Sequence, residues 1–102
     1  MKSAKWAHLE RAVPADAEEI AELYLAARAD AFPFLARVHS DAQVRAWVAG
    51  TVLQRSRVAI ARQHGRIVGF AALNGHELDQ LYVSPDHYRQ GIGSLLLAWA
   101  KA

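Results

Sequence analysis

The spacing of apolar residues changes several times along this chain, and each change marks an element. Residues 8–13 read as a first strand, which Pro14 breaks. From Asp16 the period becomes helical: Ile20, Leu23, Tyr24 and Ala27 recur on one helix face. Asp16 and Glu19 have the spacing of a capping box, and the acids of residues 16–22 suit the positive end of a helix dipole. Pro33, within Phe32-Pro33-Phe34-Leu35, predicts a loop or a break between helices over residues 31–39. Ser40 with Gln43 makes a second capping box, opening a helix whose inner stripe is expected at Val44, Trp47, Val48 and Thr51.

The pattern then becomes that of strands. Residues 57–63 and 66–73 are two strands joined at His64-Gly65, a two-residue hairpin loop. Residues 67–73 are apolar at every position, which predicts a central strand buried on both faces. Asn74-Gly75 is the strongest short hairpin signal in the chain. A further strand over residues 77–83 ends at Ser84-Pro85. A last helix starts at about Gly91, with Ile92, Leu95, Leu96 and Trp99 at helical spacing. The order strand, helix, helix, three hairpin-linked strands, helix predicts a mixed α/β fold with a largely antiparallel sheet and flanking helices. No repeat or linker divides residues 1–102, so one domain is expected.

Composition narrows the chemistry. With 102 residues, 53% of them hydrophobic, the chain can bury one modest core. It contains no cysteine, which rules out disulfides, thiolate metal sites and a cysteine nucleophile and suits a reducing cytoplasm. The start of the chain turns polar without an apolar signal-like run, and apolar runs such as residues 95–100 are too short to span a membrane. Between residues 42 and 76 lie five arginines (Arg45, Arg55, Arg57, Arg62 and Arg66) and no acid. A solvated basic face is the simpler reading of that block than a dedicated phosphate site, and no nucleic-acid motif accompanies it. The five histidines show no His-x-x-x-His spacing, so no metal is expected.

The most informative stretch is residues 81–96, in which a strand ends, a short polar loop follows, and Gly91 and Gly93 open a helix. The N–H groups of a helix's first turn lack internal partners, the dipole favours negative charge there, and glycines let a phosphate approach the backbone. A glycine pair alone is more often a structural turn; here the preceding strand, Pro85 and the apolar helix all agree with a pyrophosphate site. A dinucleotide fingerprint fails at Leu96, and the Gly-Lys-Ser or Gly-Lys-Thr of a P-loop is absent.

The segment resembles motif A of the GNAT N-acetyltransferases: Gln or Arg, two residues, Gly, one residue, then Gly or Ala. Gly91 and Gly93 match, and Tyr88 stands where the family has Gln or Arg. Arg66-Ile67-Val68-Gly69-Phe70 and Leu78-Asp79-Gln80-Leu81-Tyr82-Val83 also look like the family. The resemblance implies a GNAT-like fold and transfer of acetyl from acetyl-CoA to an amine of a small molecule or peptide. It implies cofactor contacts from Leu81, Tyr82 and Val83 and from Tyr88, Arg89, Gln90, Gly91, Ile92, Gly93 and Ser94. Val83 N–H is the implied oxyanion donor. Glu77 and Asp79, two residues apart on one strand and so expected on one face, are candidate bases, with solvated acids as the alternative. The acceptor is expected near residues 32–40, where Phe32, Phe34 and Tyr24 line a pocket or join the core. In the family the fold continues with another strand, a helix carrying a tyrosine often used as general acid, and a closing hairpin. The sequence given stops at Ala102, so this N-terminal portion shows no leaving-group acid, and the strand over residues 77–83 is expected as an open edge inviting a homodimer or higher oligomer. Two other readings stand beside the enzyme: a non-catalytic module that binds CoA or only self-associates, and a generic anion-binding α/β domain.

Overall fold

The computed structural model describes residues 7–33 and 39–102. Strands β1 (Ala7–Arg11), β2 (Arg57–Gln63), β3 (Arg66–Asn74) and β4 (Glu77–Val83) form one sheet in the order β1-β2-β3-β4, with every neighbour antiparallel. Helix α1 (Ala17–Ala31) follows β1; α2 (Asp41–Trp47), a π-helical turn (Val48–Val52) and the short α3 (Leu53–Arg55) lead into β2; α4 (Ile92–Lys101) follows β4. The predicted element order and mixed α/β class are those observed.

The sheet carries a core on each face because β3 is apolar throughout. All residues from 67 to 73 are buried. Ile67, Phe70 and Ala72 join Ile20, Leu23, Val44, Val48 and Val52 beneath α1, α2 and the π turn. Val68 and Ala71 join Ile92 and Leu96 of α4 on the other face. The face under α4 is built from small side chains, Ala59, Ala61 and Ala71, and that lets a helix lie close to the strands.

Several local expectations are realised. His64 (φ 52°) and Gly65 (φ 79°) are both left-handed, as a two-residue hairpin of the primed type requires. Ser40 accepts from Gln43 N at 3.1 Å while Gln43 Oε1 accepts from Ser40 N at 2.8 Å, a complete capping box.

Others are corrected. The second hairpin turns at Gly75-His76, with Asn74 paired to Glu77, so the loop lies one residue later than Asn74-Gly75 suggests. Gly75 has φ 64°, as a turn with glycine at its first central position demands. The stripe of the second helix ends on Val52 rather than Thr51, which is exposed, because the wider π turn delays the inward face by one residue. The Asp16–Glu19 capping box does not form. Asp16 Oδ2 instead accepts from Val13 N at 2.9 Å, Asp16 Oδ1 takes Arg62 at 3.3 Å, and Glu19 Oε2 accepts from Ile67 N at 2.8 Å. Pairing with β4 begins only at Gly69, so Glu19 supplies a partner to an N–H that β4 does not reach. Both carboxylates are drawn to tertiary partners. Of the expected loop, residues 34–38 lie outside the described residues.

Arg62 ties these pieces together, donating to Glu10 Oε1 at 3.1 Å, Asp16 Oδ1 at 3.3 Å and Gly65 O at 3.1 Å. Glu10 also receives a 2.6 Å hydrogen bond from His8 Nε2. Those two hydrogen bonds, His8 first and Arg62 second, hold the Glu10 carboxyl below its ordinary value of 4.5. A depressed carboxylate adds stability that is present above the unfolded value and lost as pH falls through the folded one. Thermal melts of Glu10→Gln are therefore expected to show a shallower loss of Tm below about pH 4.5 than wild type; equal acid limbs would remove Glu10 from the acid response.

Candidate functional site

β4 delivers the chain to the site and β3 fixes where it arrives. Val83 pairs with Gly69, and Ser84 N donates to Val68 O at 2.8 Å. Antiparallel strands alternate groups facing the partner with groups facing away. Because Ser84 N–H is committed to β3, Val83 N–H is directed to the open side of β4, where no described strand lies. Leu81 and Val83 pack toward α4, while Tyr82 packs on the opposite face against Phe70 and Tyr24.

After Val83 the chain makes one 3-10 turn (Pro85–His87) and then reverses into α4. The reversal uses two left-handed residues, Arg89 (φ 63°) and Gly91 (φ 81°). Gly91 is the N-cap, and no side chain caps the helix. The first intrahelical bond runs from Leu95 N to Gly91 O at 3.0 Å, so the amides of Ile92, Gly93 and Ser94 have no intrahelical acceptor. With Arg89 exposed and Gln90 partly exposed beside them, these donors form a concentrated positive field at a solvent-facing helix start. This is a cradle for a phosphate group, and the residues present fit one.

The sheet positions that turn through Gly69, a glycine within the buried run of β3. A Cβ built on Gly69 lies 2.9 Å from Ile92 Cγ2, 3.0 Å from Leu96 Cδ1 and 3.2 Å from Tyr82 O. Only glycine lets the first turn of α4 sit this close to β3. The available signal was an isolated glycine inside a strand pattern, which marks close approach of another segment. Gly93 differs, since its Cβ would meet only Val83 Cγ2 at 3.8 Å, an ordinary contact.

Tyr88, 43% exposed, anchors the turn from the other side. Its hydroxyl donates to Asp30 near the end of α1, and its pKa is raised, first by partial burial and then by the Asp30 charge. Tyr24 is likewise raised by burial and packs against Trp47 at 5.1 Å and Tyr82 at 5.0 Å, so it belongs to an aromatic cluster at the edge of the core. Phe32 is exposed beneath the Arg28 guanidinium at 5.3 Å; Phe34 lies outside the described residues.

Glu77 and Asp79 are exposed, and the structure does not bring them to Val83. Along a strand rising about 3.3 Å per residue, Asp79 lies about 13 Å and Glu77 about 20 Å from Val83. The pairing also slips between Ala72 and Leu73, whose partners are Gln80 and Leu78, leaving Asp79 as a bulge. That bulge removes the simple alternation behind the one-face expectation. Among the described residues no group of acids and histidines is arranged to hold a metal ion, and no helix is long and apolar enough to cross a membrane.

The profile of the acetyltransferase (GNAT) domain matches residues 54–102. A comparison with curated proteins gives no match. Among solved structures, a GCN5-related N-acetyltransferase from Rhodopseudomonas palustris is 27% identical with a TM-score of 0.73, over 92% of this chain and 62% of that one. Apo YjaB from Escherichia coli is 22% identical with a TM-score of 0.74, over 92% and 63%. The PaiA N-acetyltransferase of Thermoplasma acidophilum, solved with coenzyme A, is 18% identical with a TM-score of 0.74, over 93% and 69%. The chain thus spans less than two thirds of the first two proteins it resembles.

The three glycines separate packing from turn geometry. Gly69→Ala is expected to destabilise by about 1–3 kcal/mol through overpacking, and Gly91→Ala by about 1–2 kcal/mol through its left-handed backbone. Gly93→Ala, inside a helix with room for a methyl, is expected to be neutral or stabilising by up to about 1 kcal/mol. Denaturant melts of the three variants check the ranking; a Gly93→Ala cost as large as that of Gly69→Ala would contradict the packing described.

Proposed function

We propose, from the premise that this chain belongs to the GNAT acetyltransferase family, that it takes part in acetyl transfer from acetyl-CoA to a primary amine of a small molecule or peptide. The observation that carries the proposal is the uncapped first turn of α4, set by Gly69 and Gly91 beside the open edge of β4. The amides of Ile92, Gly93 and Ser94 would hold the diphosphate with Gly91 at the turn, Arg89 and Gln90 adding side-chain donors and Tyr88 fixing the turn to α1. The outward backbone groups of Leu81 and Val83 would pair with the amide-bearing arm of the cofactor, with Tyr82 anchoring the strand between them.

Acetyl-CoA supplies an activated thioester carbonyl. Val83 N–H, turned to the open edge, is placed to donate to an oxygen that gains negative charge. The amine must arrive neutral and attack the thioester carbon; as the C–N bond forms the C–S bond breaks, releasing CoA as a thiolate that takes up a proton, and at their distances along the strand Glu77 and Asp79 would receive the proton the amine loses only through intervening water. The acceptor would approach from the end of α1, where Phe32 is exposed. A cysteine-free chain suits direct transfer, with no acyl-cysteine intermediate, and a cytoplasmic setting.

The edge of β4, on which no described strand lies, supports a second element of the proposal, self-association as a homodimer or higher oligomer. Leu78 on β4 is 40% exposed, and Leu97 is an exposed leucine on α4. An unpaired edge beside apolar side chains favours strand addition. Light scattering is expected to give at least twice the monomer mass of 11.2 kDa; a monomer at all concentrations would refute this element.

Calorimetric titration with acetyl-CoA tests the site itself. Saturable binding is expected for the wild-type chain and is expected to be lost in Gly91→Glu, whose carboxylate repels the diphosphate. Absence of binding by the folded wild-type chain would leave a fold without the cofactor site; retained binding by the variant would move the cofactor elsewhere.

A further inference from the structure

At the other end of α4, helix and sheet leave a cavity of about 360 Å³. Leu9 and Ala59 lie among its lining, Trp99 forms a wall, and Arg11 and Arg57 contribute two cations. Strand alternation places both arginines on the α4 side. Leu9 packs toward α4 and Arg11 is two residues further along β1; Arg11 pairs with Ala59, and Arg57 is two residues before Ala59 on β2. The cavity exists because the sheet beneath this end of the helix carries a methyl group at Ala59 where a larger side chain would fill the space.

The charge balance is positive. The Arg57 guanidinium carbon sits 5.7 Å from the Trp99 ring centroid, a cation–π contact that orients it. Among the described residues no carboxylate lies within ion-pair distance of Arg11 or Arg57. Glu10, whose residue also lines the cavity, is taken up by His8 and Arg62. From Ile92 to Trp99 the helix rises about 10 Å, so the cavity is separate from the glycine turn.

We propose that this cavity binds a small carboxylate with an apolar tail, the carboxylate held by Arg11 and Arg57 and the tail lying over Leu9 and Ala59 against Trp99. The pocket sets apolar side chains beside charged ones in a space of a few hundred Å³, a combination that can hold an amphipathic ligand. Two guanidiniums at the rim select an anion, because planar carboxylates accept from them in pairs. The indole and the leucine select an apolar body over a bare ion.

Octanoate is a suitable probe and octanol its uncharged control. The ¹⁵N-labelled chain is titrated with each, following the Trp99 indole N–H and the Ala59 amide. Saturable shifts at both positions with octanoate are expected, with octanol binding at least about tenfold more weakly. Arg11→Gln and Arg57→Gln, both at exposed positions, are each expected to weaken octanoate about tenfold while leaving the rest of the amide spectrum in place. Equal binding of octanol, unchanged affinity in both variants, absence of a shift at Trp99, or shifts confined to residues 91–94 would each overturn the proposal.

Discussion

The close approach of α4 to β3 at Gly69 is the constraint on which the rest of this structure depends. A methyl group there would stand 2.9 Å from Ile92 and 3.0 Å from Leu96, so one missing side chain sets the height of the helix over the sheet. The height decides where the first turn of α4 lies relative to the end of β4. Because Gly69 pairs with Val83, the same residue places both the unbonded helix amides and the outward N–H of Val83. The site is a consequence of helix-on-sheet packing before it is a property of the glycine motif.

The opposite face is organised by charge at its margin and by aromatic packing at its edge. Arg62 binds β1 and the start of α1 through Glu10 and Asp16, while Glu19 reaches β3 directly. Tyr24, Trp47 and Tyr82 link α1, α2 and β4 into one cluster. Tyr88 then ties the glycine turn back to Asp30 on α1. Helix α1 therefore touches both the sheet that carries the site and the loop that shapes it.

The first turn of α4 and the sheet beneath its later turns both present groups that attract negative charge. At the first turn, free amides and Arg89 offer donors to an anion without any capping side chain. Farther along the helix, Arg11 and Arg57 from the neighbouring strands line the cavity beside Trp99. The proposed diphosphate site and the proposed carboxylate cavity therefore lie at separate places along one helix.

Much of this was legible from local pattern. The order of elements, the doubly buried strand over residues 67–73, the His64-Gly65 turn and the Ser40–Gln43 box depend on neighbours in sequence, and the structure contains each of them. The glycine turn before α4 belongs with them, because helix starts and left-handed residues are decided within a few positions. Tertiary structure decided the rest. Asp16 and Glu19 have capping-box spacing, but Asp16 is taken by Val13 N and by Arg62, 46 residues away, and Glu19 by Ile67 N, 48 residues away. Glu77 and Asp79 were adjacent to the motif in sequence, yet a bulge and the length of β4 carry them away from Val83. The role of Gly69 appears only when β3 meets α4, since no spacing in the chain reveals which strand glycine a helix will press upon. Sequence by itself determined the periodicities and the turns, which are fixed by local sterics; the fold alone determined which carboxylates, glycines and cations meet, because those contacts depend on how distant segments pack.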